Sequence, residues 1–162
     1  MPPSRKQGYR EGDWIVVPLV TGGFAIGIVF RGRGSICLGA FFAPKYEKPP
    51  VLIDADGLTL SDAILIARFG YLGLMSGEWT NLGRAPDWNR ANWPMPRFRS
   101  TPYIVEFSDR SPGKTLSMRR ASPEELAGLP EEGVYGDKAL QIALTKVLES
   151  PAVWDAWRAA RH

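Results

Sequence analysis

Early in the chain, apolar and polar positions follow a strand-like rhythm. Residues 12–42 read GDWIVVPLVTGGFAIGIVFRGRGSICLGAFF, three apolar runs separated by glycine-bearing turns. This predicts a β-meander on which the rest of the chain packs. Trp14, Val16 and Val20 point one way and Ile15, Val17 and Leu19 the other, so the first strand is buried on both faces. Pro18 cannot donate to a ladder, which predicts an edge segment or a bulge there. Gly22 and Gly23 permit the positive φ angles of a tight hairpin. In the next run Phe24, Ile26, Ile28 and Phe30 share a face, with Ala25, Gly27, Val29 and Arg31 behind them. Gly27 leaves room for a neighbour to approach closely. Ile36, Leu38, Ala40 and Phe42 mark a third strand over 35–42, which the prolines of 43–50 should end.

Further on the rhythm weakens. Within 58–69 Ser61 could cap a helix, but the alternation of Ile64, Ile66 and Arg68 against Leu65, Ala67 and Phe69 favours a strand over 63–69. Glycines punctuate a turning segment over 70–77, and 78–82 reads as a short strand. Residues 83–102, GRAPDWNRANWPMPRFRSTP, have no period and read as a long loop stapled by its rings. A strand over 103–107, a longer loop and a return over 114–119 make a hairpin. Ser122, Pro123 and Glu125 predict a capped short helix over 122–128. Asp137 caps a second helix over 137–149, whose stripe is Leu140, Ala143, Leu144, Val147 and Leu148. Ser150 and Pro151 start a third over 151–160 with Val153, Trp154 and Trp157 on one side. The expected fold is α+β, mainly β and antiparallel, with C-terminal helices. Residues 1–11 form a flexible arm and 12–162 a single domain.

Composition narrows this picture. The 44 % of hydrophobic residues suffice for a sizeable core, and six Trp, seven Phe and five Tyr place large rings in it. A net charge of +3 is milder than the basic stripe of most nucleic-acid binders. Cys37 is the one cysteine, so neither an intrachain disulfide nor a thiolate zinc site is expected; within its apolar run it reads as a buried small hydrophobe. No apolar run is long enough to span a membrane and the N-terminus lacks an apolar leader core, so a cytoplasmic, non-membrane protein is expected.

Candidate chemistry is sparse. The one histidine, His162, ends the chain, a poor place for a fixed general base, which removes serine–histidine and cysteine–histidine arrangements and histidine metal sites. A carboxylate mechanism stays open, with Glu78, Asp87, Glu106 and Asp109 as the acids near the aromatic region. The turn RGRG at 31–34 lacks P-loop spacing, and the DADG turn at 54–57 lacks an acid at the twelfth position of a calcium loop, where Leu65 falls. In 83–102, Arg84, Arg90, Arg97 and Arg99 alternate with Trp88, Trp93 and Phe98. That mix suits either a single-strand nucleic-acid groove or a protein interface.

Three segments resemble one family. GDWIVVPLVTGGFAIGIVFR, the GEWTNLG at 77–83 and the WPMPRF at 93–98 are similar to landmarks of the Imm26 family, immunity proteins of bacterial polymorphic toxin systems. The resemblance implies a β-rich, partly barrel-like (SH3-like) sheet and a non-catalytic protein without metal or cofactor. It would bind a cognate toxin domain and block it by steric occlusion, with no small-molecule substrate. Gly12, Asp13, Pro18, Leu19, Gly27, Trp79, Gly83, Trp93, Pro94, Pro96 and Phe98 match the pattern and read as fold determinants. The contact surface is expected on the 83–102 loop, with Arg90, Arg97 and Arg99 exposed above the anchoring rings of Trp88 and Trp93. Inhibitors of nucleases often carry acidic surfaces. In this basic chain either Asp54, Asp56 and Asp62 make a local acidic patch, or the toxin is not a nuclease.

Overall fold

The structure, a computed structural model, describes residues 8–51 and 57–160. Asp54, Asp56, His162 and the rings of Trp154 and Trp157 lie outside the described part. The predicted meander is present. Strands β1 (Asp13–Pro18), β2 (Phe24–Arg33), β3 (Ile36–Tyr46) and β4 (Leu65–Gly70) pair antiparallel in sequence order. A short helix α1 (Leu72–Ser76) leads to β5 (Thr80–Arg84), which pairs with β1. β6 (Phe98–Ser100), β7 (Tyr103–Ser108) and β8 (Ser111–Arg120) form a second, three-stranded sheet. Then follow α2 (Pro123–Leu126), β9 (Val134–Tyr135), α3 (Asp137–Leu148) and α4 (Pro151–Ala160). The larger sheet runs β5-β1-β2-β3-β4-β9 and is open, with β5 and β9 as its edges and no barrel closure.

Both faces of the larger sheet are buried, as the two-sided apolar runs require. One face carries Ile15, Val17, Ala25, Val29, Cys37, Phe41 and Phe69 under Leu140, Leu144 and Leu148 of α3. The other carries Trp14, Ile26, Ile28, Phe30, Leu38 and Phe42 against Trp93, Phe98, Val105 and Phe107 of the second sheet and its leading loop. The predicted faces therefore hold strand by strand, except that Val20, expected on the face of Trp14, lies beyond β1 and is exposed. Gly27 is the close approach foreseen, since an added Cβ would lie 2.5 Å from a ring carbon of Phe41.

Several expectations need correction. β3 does not stop at Phe42: it runs through Pro44, which sits in the irregular stretch between the Ile26–Phe42 and Phe24–Tyr46 pairs, where no ladder donor is needed. Within 70–77 the chain forms the helix α1, ended by Gly77 at φ +80°, and Gly73 lets it lie against the indole of Trp79. The 83–102 loop contains β6. The 103–120 hairpin turns tightly, pairing Ser108 with Ser111. Pro18 does lie where β1 has lost β5, whose pairing ends at Val16. In 58–69 the strand holds as β4, but the cap falls two residues earlier than Ser61: Thr59 and Asp62 form a capping box on a 3-10 turn, Leu60–Asp62, that contains Ser61.

One crossing ties the layers together. The Arg99 amide donates to the Pro130 carbonyl and the Glu132 amide to the Arg99 carbonyl, beside β6. Two residues later Val134 and Tyr135 pair in parallel with Arg68 and Phe69 of β4. Residues 130–135 thus strap the small sheet to the large one. Within the arm expected over 1–11, the described residues are packed on the body: Tyr9 donates to the Gly34 carbonyl, and Gly8 accepts from Asn81.

Candidate functional site

Gly12 and Asp13 build one corner of the molecule. Gly12 has φ +94°, and a Cβ there would fall 2.6 Å from the Trp88 ring. Its backbone also reaches into the ladder, with its amide on the Val29 carbonyl and its carbonyl taking the Ala85 amide. Asp13 is buried; its carboxylate accepts from the Arg10 amide at 2.7 Å and from Asn81 Nδ2 at 2.8 Å. Asn81 in turn accepts from the Gly83 amide, fixing the β5 end where Gly83 takes φ +92°. Trp79 is buried against Phe69 with ring centroids 5.6 Å apart. The landmarks at 12–13 and 77–83 therefore meet in space. Asp13, Asn81, Leu82 and Gly83 line an open groove of about 1030 Å³ rimmed by Arg10, Arg33 and Arg84.

The 83–102 loop is a staple. Trp93 is 8 % exposed and stacks on half-buried Trp88, with centroids 6.3 Å apart and planes 27° apart. Its other neighbours are Phe30 and Phe42. Trp93 therefore has no free face for a base, which weakens the nucleic-acid reading of this loop. Phe98 packs edge-on to Phe107 at 5.3 Å. Pro94 and Pro96 flank the exit from the Trp93 anchor, Pro94 exposed and Pro96 half-buried.

The arginines of the loop are more engaged than expected. Arg90 bonds Glu11 at 2.9 Å and Asp109 at 2.6 Å, and Arg99 bonds Glu131 at 2.9 Å; both are half-exposed. Arg97 is exposed and, among the described residues, makes no ion pair. Asp109 is also bonded by buried Arg31 at 3.0 Å. The Arg90 hydrogen bond, then that of Arg31, holds its carboxyl below the usual carboxylate range.

A second buried cation had no signal in the sequence beyond its place in a strand. Arg68 lies 3.7 Å above the Phe107 ring, donates to the Pro112 carbonyl at 2.9 Å, and bonds both the carbonyl and the carboxylate of Glu132. Burial opposes its charge, and Glu132 supports it.

The candidate nucleophile and acids are accounted for. Cys37 is buried, and burial pushes its thiol up to about 12, so little thiolate exists at neutral pH. Glu78 pairs with Lys138, while Asp87 and Glu106 are exposed. Among the described residues no group of three His, Cys, Asp or Glu side chains could hold a metal. No described helix is long and apolar enough to cross a membrane.

These observations define a class: a β-rich scaffold of two sheets and a helical layer, whose buried polar groups Asp13, Arg31 and Arg68 are bonded within the fold. The family model described as Immunity protein 26, Imm26, matches residues 10–106, so the chain belongs to the Imm26 family of immunity proteins. No curated protein and no solved structure matches the chain. The matched span ends within β7; α2, α3 and α4 lie beyond it.

Proposed function

We propose that this protein binds a cognate bacterial toxin domain in the cytoplasm and neutralises it by steric occlusion, without catalysis of its own. Family membership over residues 10–106 is the observation that carries this reading. The geometry supports it. The one thiol is buried with its pKa raised, and Asp109 is locked between two guanidinium groups, so neither is poised for chemistry. What the fold offers another macromolecule is rigid shape held by stacked rings. Within the 83–102 loop, exposed Arg97 is the readiest contact, with Arg90 and Arg99 at its margins and Trp88 and Trp93 anchoring the backbone beneath.

The test is co-expression with the toxin encoded beside this gene. Cells are expected to survive induction of the toxin only when this protein is present, and the purified pair should form a complex with a saturable stoichiometry. A toxin that kills equally in the presence of the folded protein, and does not bind it, would end the reading.

A further inference from the structure

The two sheets have four edges, β5 and β9 on one, β6 and β8 on the other. An unpaired edge is a row of free amides and carbonyls that proteins usually shorten or cover. Three of these edges are treated that way. β9 has two residues. β6 has three, and its amide and carbonyl at Arg99 are taken by the strap at Pro130 and Glu132. β5 is covered by the Gly8 to Glu11 segment, through Asn81 Nδ2 on the Gly8 carbonyl and Arg84 Nε on the Glu11 carbonyl. β8 is different. It has ten residues and, among the described residues, pairs only with β7, and every residue from Gly113 to Arg120 is exposed. Pro112 and the register shifts beside Phe107 blunt its first half. From Ser117 to Arg120 the ladder with β7 is regular, and among the described residues nothing bonds its outer edge.

The side chains on this edge point to an occupant. Leu116 and Met118 are 63 % and 58 % exposed, and Tyr103, which shares Met118's face, is 37 % exposed. They are flanked by cations. Lys114 and Arg120 make no ion pair among the described residues, while Arg119 is tied to Glu125 at 2.9 Å. A second copy fits poorly. The antiparallel register that sets Leu116 opposite Met118 of another copy also sets Lys114 opposite its Arg120, and facing like charges destabilise a pair. An extended strand with an apolar middle and acidic flanks meets no such conflict.

We propose that β8 is the docking edge for the toxin: an acidic-flanked strand of the toxin adds to the small sheet beside Leu116 and Met118. This rests on the toxin-binding reading above. The docking edge lies at the opposite side of the small sheet from β6 and Arg97, with Phe98, Val105 and Met118 in one cross-strand row. That row puts Met118 about 10 Å from β6, two strand spacings.

The probe is the toxin encoded by the adjacent gene, measured by calorimetry against the wild type, the double variant Leu116→Glu/Met118→Glu, and the control Ile142→Glu on the exposed side of α3. The expected result is at least a tenfold loss of affinity for the double variant, none for the control, and unchanged circular dichroism and melting temperature for both. Amide exchange should also slow within 114–120 when wild type binds the toxin. A double variant that binds like wild type, or a complex in which exchange over 114–120 is unchanged, overturns the inference while toxin binding itself stands. Failure of the wild type to bind removes the toxin-binding reading and this one together.

Discussion

Arg68 concentrates the cost of building this fold in one side chain. A buried guanidinium is stable only where every donor is matched, and here two carbonyls, a carboxylate and a ring face share it. Arg68→Met should destabilise the protein by about 3 kcal/mol in urea unfolding, because buried acceptors lose a charged donor. Gly12 and Gly83 allow a cleaner comparison. Both have positive φ, but only Gly12 has a ring against the missing Cβ; Gly83 has open space. Gly83→Ala should therefore cost only the left-handed backbone, about 1 kcal/mol. Gly12→Ala should cost more, about 2–3 kcal/mol, since Trp88 must also move. Melting temperatures of the two variants check the order. The sequence could show Gly12 as a required glycine but not why, since Trp88 comes from a distant loop.

At the scale of elements, the Arg31–Asp109–Arg90 cluster pins the β7–β8 turn to β2 and to the 83–102 loop. The Asp109 carboxyl is held below its ordinary value near 3.9 by the Arg90 and then the Arg31 hydrogen bonds. A carboxyl lowered on folding stabilises the fold above its unfolded pKa, and that contribution is lost as pH falls through the folded value. Asp109→Asn should thus lower the melting temperature modestly at pH 7, and the gap from wild type should narrow as pH falls below the ordinary carboxyl range and through the lowered folded value. A gap independent of pH would exclude the charge as its cause. Asp109 is half-exposed, so screening keeps the effect small. How far the elements were legible follows the same logic of distance. The meander and its faces show in local alternation, and α2 shows in the Ser122 to Glu125 capping box. By contrast α1 depends on Gly73 fitting under Trp79, and β9 on a parallel pairing with β4 across the whole second sheet. Neither leaves a periodic trace. The engaged state of Arg90 was equally hidden, for its partners lie 79 and 19 residues away.

For the molecule as a whole, the matched segment 10–106 stops short of the helical layer. Its meander presents Ile15, Val17, Phe41 and Phe69 on a face covered in part by Leu74 and Trp79 and in large part by α3, with support from α4. A chain ending at residue 136 should lack a cooperative unfolding transition and should bind a hydrophobic dye, whereas the full chain melts in one step. A truncated chain that melts sharply would show that the helices merely decorate the sheet. The strap at 130–135 adds a mechanical corollary. A pull on the carboxyl end would peel off the helices first and then load the bonds of that strap, which grip both sheets through Arg99 and Phe69. That short thread would give way while the ring packing of Trp93, Phe98 and Phe107 and the Arg31–Asp109 bond still clasp the two sheets, so the load would be shed in steps from the tail inward.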